Sequence, residues 1–247
     1  MTSASSSTTT VALVHGAFAD SGSWNGVTEL LLAAGVPVQA VSNPLRGIAA
    51  DAAYVASAIR QIPGPVLAVG HSYGGAVITN AALPAGNVVG LVYVAAFAPD
   101  ENETLGEIEG TSRDSVLSSA LKPAEFPAGG SETAVELYVD PAQFHQAFAA
   151  DLPERQSGVL GASQRAIAAS AFDERSGAPA WKKLPSWAVV ATGDKAAGSD
   201  VVRSMAERAG ATITEIEGSH VVMISKPREV TDAILAALAE VGGSRGR

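Results

Sequence analysis

The stretch "GHSYGG", Gly70 to Gly75, directly follows the apolar run "PVLAVG" and leads into "AVITNAA". A serine between glycines, at the junction of a strand and a helix, restricts this chain more than any other feature. It fits G-x-S-x-G, in which the serine sits on a sharp, strained turn that lifts its hydroxyl above a sheet edge. In such a turn the positions two before and two after the serine lie too close to neighbouring backbone to carry a side chain. The following helix points its unpaired N–H groups toward the same place. A glycine-rich turn that only packs a helix closely has the same letters, but no G-x-x-x-x-G-K-[ST] is present to make it a phosphate loop. The strand-turn-helix setting favours Ser72 as a nucleophile.

The rest of the chain supplies that setting. "TVALVH", Thr10 to His15, reads as a first strand, and Ser23 as the N-cap of a helix from Trp24 to about Ala34. "VPVQAV" is a second strand. A helix from about Ala49 to Ile62 carries Ala52, Val55, Ala56 and Ile59 on one face, and "PGP" at 63–65 stops it. "VLAVG" and a strand from about Val88 to Ala95 flank the helix that begins near Tyr73. Strands alternating with helices predict an α/β protein with a mostly parallel sheet of about six strands covered by helices on both faces. Their lack of clean polar alternation agrees with burial on both sides.

The rhythm breaks at Pro99 and resumes at "SWAVVATGD". Between them, "DSVLSSALK" and "DPAQFHQAFAADL" read as short helices, and Phe126, Tyr138, Phe144, Phe148, Phe172 and Trp181 give the segment an apolar content that disordered chain lacks. The expectation is a helical cap over about residues 100–184, inserted into a single domain spanning 1–247. A helix over "DVVRSMAERAG", a strand "TITEIEG" and a helix from about Pro227 to Val241 complete the core, and the tail "GGSRGR" should fray.

Composition narrows the partners. A net charge of −9 argues against a nucleic-acid surface. The absence of cysteine removes disulfides, thiolate chemistry and Cys-type metal sites. "MTSASSSTTT" lacks the basic and apolar regions of a signal peptide, so residues 1–8 read as a disordered lead-in. No apolar run is long enough to span a membrane. The sequence reading is a cytoplasmic protein with no membrane partner, and it leaves a homodimer open.

A serine hydroxyl needs a base, and the base needs an orienting carboxylate. Where an elbow of this kind carries them, the acid follows the serine and the histidine follows the acid. Of the four histidines, His15 and His71 precede Ser72, and His145 lies within a cap helix. His220, in "EGSHVVM" just past the last strand, is the candidate base, and Asp194, in "VVATGDK", the candidate acid. Asp100 is the reserve acid, with a competing reading as a loop or helix cap. The oxyanion donors are expected to be the backbone N–H of Tyr73 and that of Ala17, in preference to Phe18, in the loop "VHGAF". Gly16 would let that loop turn close to the site, and the His15 ring would pin it.

"VALVHGAF…SGSW", "VGHSYGG", "VYVAAFAPD", "TGDKA" and "GSHVVMISKP" together resemble the α/β-hydrolases related to plant salicylate-methyl-ester esterases and hydroxynitrile lyases. The resemblance runs from about Thr10 to Val241 and is weakest in the cap. It implies an α/β-hydrolase fold, a serine esterase without metal or organic cofactor, the triad Ser72, Asp194 and His220, and Ala17 and Tyr73 at the oxyanion. The lyase branch carries a threonine after the first strand and a lysine after the histidine. Here those positions are Gly16 and Val221, which disfavours cyanide chemistry. Tyr73 is bulkier than the residue often found after the nucleophile in the esterases.

The resulting expectation is a carboxylesterase acting on small hydrophobic esters through an acyl-enzyme. Phe18, Phe126, Phe144 and Val221 are expected to contact substrate. Related chemistry on the same architecture (a lyase, a lactonase or a perhydrolase) and a non-catalytic ligand-binding protein are the alternatives.

Overall fold

A computed structural model describes residues 8–243. Of the predicted lead-in 1–8 only Thr8 falls within the described residues, and residues 244–247 of the predicted fraying tail lie outside them. The chain begins with β1 (Thr10–Val14), a 3-10 turn (Ser21–Trp24), α1 (Asn25–Ala33), β2 (Val38–Val41), α2 (Ile48–Arg60), β3 (Val66–His71), α3 (Tyr73–Ala85) and β4 (Val88–Val94). An insertion follows, with α4 (Leu105–Gly110), α5 (Leu117–Ala120), β5 (Leu121–Gly129), β6 (Glu132–Val139), α6 (Pro141–Phe148), α7 (Glu154–Ser163), β7 (Ile167–Ala168) and α8 (Ser170–Asp173). The core then resumes as β8 (Ser186–Ala191), α9 (Ser199–Arg208), β9 (Thr212–Ile216), α10 (Val222–Ser225) and α11 (Pro227–Gly243).

Six strands form one parallel sheet in the order β2-β1-β3-β4-β8-β9. From β1 the chain passes outward to β2, then returns across β1 to β3. Right-handed crossovers therefore put α1 on one face and α2 and α3 on the other. In agreement, α1 packs on α11 and α2 on α3. The central strands β3 and β8 are buried along their whole length, which explains their runs of Val, Leu and Ala without alternation. Because the strand order reverses at β1, the loops leaving β1 and β3 diverge and open a crevice between them. The pairing of Val14 with Gly70 sets residues 15–17 beside residues 71–73. No helix among the described residues is long and apolar enough to cross a membrane.

The inserted segment departs from the expected helical cap. β5 and β6 form an antiparallel hairpin, extended to three strands by β7. Gly129 and Gly130, with φ of 126° and 58°, make the turn that only glycine takes easily. Pro123 and Pro127 obscure the strand in the sequence, yet β5 is an edge strand, where missing N–H donors are tolerated. The stretch "DSVLSSALK" is accordingly helical only over Leu117–Ala120, since Leu121 and Lys122 already belong to β5. Ser23 is also not the N-cap of α1. Asp20 caps the preceding 3-10 turn by accepting from Gly22 N–H at 2.7 Å, and the Ser23 hydroxyl donates back to the Asp20 carbonyl.

Candidate active site

Ser72 joins β3 to α3 with φ 53° and ψ −124°, a conformation that costs a non-glycine residue on the order of 1–3 kcal/mol. Hydrogen bonds on both sides hold it there. Its N–H donates to the Val94 carbonyl at 3.3 Å, and its carbonyl accepts from Gly75 N–H at 2.9 Å and Phe97 N–H at 3.2 Å. The flanking glycines are required by space. A Cβ on Gly70 would lie 2.6 Å from the Gly74 carbonyl oxygen, and one on Gly74 would lie 2.5 Å from that of Val14.

The sheet edge brings together three side chains distant in sequence. Asp194 lies just past β8 and His220 just past β9. His220 Nδ1 is 2.8 Å from Asp194 Oδ2, and His220 Nε2 is 2.8 Å from Ser72 Oγ. A carboxylate only accepts, so Nδ1 carries the proton and the Nε2 lone pair faces the serine hydroxyl. The second carboxylate oxygen accepts from the N–H groups of Ala196 at 2.9 Å and Ala197 at 3.0 Å, which fixes Asp194 in its turn. Asp194 and His220 are each 1 % exposed and Ser72 is 6 % exposed. The reserve acid, Asp100, is elsewhere, paired with Lys182 on the surface, and that ammonium holds its carboxyl below the usual range. His145 is on α6, with Nδ1 buried and unpartnered.

The loop after β1 lies against the elbow. A Cβ on Gly16 would meet Ser72 Cβ at 2.6 Å and the His71 carbonyl oxygen at 2.9 Å, so only glycine lets the loop pass this close. His15 ties the loop down. Its Nε2 accepts from Asn43 N–H at 2.9 Å, its Nδ1–H donates to the Gly16 carbonyl at 2.9 Å, and the Asn43 amide returns a bond to the His15 carbonyl at 3.1 Å. Both ring bonds need a neutral imidazole, and burial lowers the His15 pKa accordingly. The Phe18 amide donates to the Arg165 carbonyl at 3.1 Å and is thereby committed. The amide N–H groups of Ala17 and of Tyr73, the first residue of α3, have no acceptor among the described residues.

Aromatic side chains cover the imidazole. Phe148 packs edge-on against His220 with centroids 4.7 Å apart, and itself touches Phe18 at 5.9 Å and Phe144 at 5.0 Å. Phe18, Phe144, Phe148, Leu160, Val221 and Ile224 form the apolar wall of a cavity of about 70 Å³, with Asp20, Ser23 and Ser163 at its polar side. Phe126 is not among them. It lies on β5 with the Arg46 guanidinium 4.5 Å above its ring. Nor does Tyr73 intrude on the cavity, because its side chain turns inward to Asp51. Sequence reasoning missed the parts played by Asn43, Asp51, His71 and Phe148. Only Phe148, as a cap aromatic, left a trace of its role.

Comparison with known proteins agrees with this fold. The family model described as "Alpha/beta hydrolase family" matches residues 11–233. By sequence, no curated protein matches the chain. Among solved structures, the chain is similar to polyneuridine aldehyde esterase at 19% identity, covering 93% of this chain and 99% of that one, with a TM-score of 0.79. It is similar to the methylesterase MES16 from Arabidopsis at 19% identity, covering 94% and 99%, with a TM-score of 0.76. A pyrethroid hydrolase from Sphingobium faniae JZ-2 also matches at 19% identity, covering 94% and 98%, with a TM-score of 0.75.

Proposed function

The chain belongs to the alpha/beta hydrolase family, and from that premise we propose that it is a serine hydrolase that cleaves small hydrophobic carboxylic esters through an acyl-enzyme. The observation that carries this reading is the unbroken line from Ser72 Oγ through the His220 imidazole to the Asp194 carboxylate. His220 Nε2 takes the hydroxyl proton as Ser72 Oγ bonds to the ester carbonyl carbon. The resulting oxyanion is held by the amides of Ala17 and Tyr73. The imidazolium, stabilised by Asp194, gives its proton to the leaving alkoxide as the C–O bond breaks. Water then attacks the acyl-serine, with His220 again taking a proton and returning it to Ser72 as the carboxylic acid departs.

The apolar wall of Phe18, Phe144, Phe148 and Val221, which adjoins the triad where Phe148 packs on His220, supports an uncharged, compact acyl or aryl group, and the three neighbours named above bear the names of esterases or hydrolases. The test is turnover of p-nitrophenyl esters of graded acyl length, together with labelling by a fluorophosphonate. Wild-type protein should hydrolyse the short esters and become labelled, and Ser72→Ala should do neither. Unchanged turnover in Ser72→Ala, or an unlabelled wild-type serine, would refute the proposal, the latter in favour of a binding protein on this fold.

A further inference from the structure

Asp51 has no part in the reaction just described, yet hydrogen-bond donors from two elements of the chain converge on its carboxyl group. It sits in the first turn of α2, wholly buried, a costly place for a carboxylate unless donors surround it. The Arg46 N–H lies 3.1 and 3.0 Å from its two oxygens, and the Gly47 N–H lies 3.4 Å from Oδ2. A further donor comes from another element: the Tyr73 hydroxyl, 2.8 Å from Oδ2. Tyr73 immediately follows Ser72, and its ring is buried between α3 and α2.

Resting on the hydrolase reading above, we infer that Asp51 is a positioning residue: by holding the Tyr73 hydroxyl it fixes the backbone of residue 73, whose amide is one of the two oxyanion donors. A tyrosine side chain has only two free torsions, so a tether at its tip and close packing along its ring locate its Cα. Oxyanion donors work only within a few tenths of an ångström of their proper place, which makes such a tether worth having. Burial, with the Asp51 charge adding to it, raises the phenol pKa, so the hydroxyl remains a donor. The same carboxylate holds the loop that meets the inserted segment. The Leu45 carbonyl accepts from Ala168 N–H at 2.9 Å, and the Arg46 guanidinium bonds Glu136 at 2.9 Å. Asp51 thus stands where elbow and insertion join.

Tyr73→Phe, made in the full chain, removes one oxygen and keeps the ring. Its kcat for p-nitrophenyl acetate should fall about tenfold with KM within about twofold, a fraction of the loss seen when an oxyanion donor is deleted outright. Affinity for a boronic-acid transition-state analogue should fall in step. Asp51→Asn keeps an oxygen that can accept from the phenol and should retain more of the kcat than Tyr73→Phe; if it does not fold, Tyr73→Phe decides alone. A kcat within about twofold of wild type, per site titrated with fluorophosphonate, overturns the inference, and a lowered unfolding midpoint beside it identifies a purely structural bond. Wild-type protein that neither turns over ester nor takes the label defeats the hydrolase reading and this inference with it.

Discussion

His71 Nε2–H donates to the carbonyl of His220 at 2.9 Å, and the two imidazole rings lie 4.7 Å apart. His71 is wholly buried and its Nδ1 has no partner among the described residues. Burial, and then the neighbouring His220, depress its pKa well below the ordinary 6.5. His15 is depressed in the same direction by burial. Both rings therefore stay neutral in the folded chain at a pH where the unfolded chain binds protons. The stability they confer is complete above about pH 6.5 and declines as pH falls below it toward the folded pKa values. Denaturant titrations between pH 7 and pH 5 should show stability dropping by up to about 1.4 kcal/mol per pH unit for each histidine. His71→Gln should flatten that slope, and an unaltered slope in the variant would contradict the assignment.

Asp194→Asn preserves shape but presents an amide where His220 Nδ1 needs an acceptor. The imidazole is then free to take the other tautomer, with its proton facing Ser72. Ester turnover should fall on the order of 10⁴-fold with little change in the thermal midpoint, measured by steady-state kinetics and calorimetry on the same preparation.

Gly16→Ala separates loop position from fold. The added methyl would press on Ser72 Cβ at 2.6 Å and the His71 carbonyl at 2.9 Å, and relief comes most readily by displacing the loop that carries the Ala17 amide. The expected outcome is destabilisation of about 1–3 kcal/mol with a kcat loss larger than the KM change, read from urea unfolding and kinetics.

Phe148→Ala removes the ring that packs on the His220 imidazole and walls the cavity. A buried phenylalanine truncated to alanine costs about 3–5 kcal/mol. The enlarged cavity should raise KM for acetyl esters and shift the preferred acyl chain toward longer or bulkier groups in a p-nitrophenyl ester series. An unchanged chain-length profile would remove Phe148 from substrate selection.

The parts of the fold legible in the sequence were those with strong local chemistry. The apolar runs of β1, β3, β4 and β8, and the elbow at Ser72, announce themselves because burial and strain admit few residue types. Chain order after the elbow singled out Asp194 and His220 for the same reason: with so few histidines, only one fell beyond the last strand. The hairpin β5–β6 was hidden because neither of its faces is deeply buried, so period-two patterning is weak, and its prolines sit on an open edge. The Gly129-Gly130 turn was the available signal. Asp51 and Asn43 were illegible because their partners, Tyr73 and His15, are 22 and 28 residues away and nothing local marks the pairing.

His220 stands 148 residues beyond Ser72, on the loop after β9, and the Phe18 amide is bonded to the carbonyl of Arg165. A chain cut anywhere before residue 220 lacks the imidazole that faces Ser72, and on the proposed mechanism it should take no fluorophosphonate label.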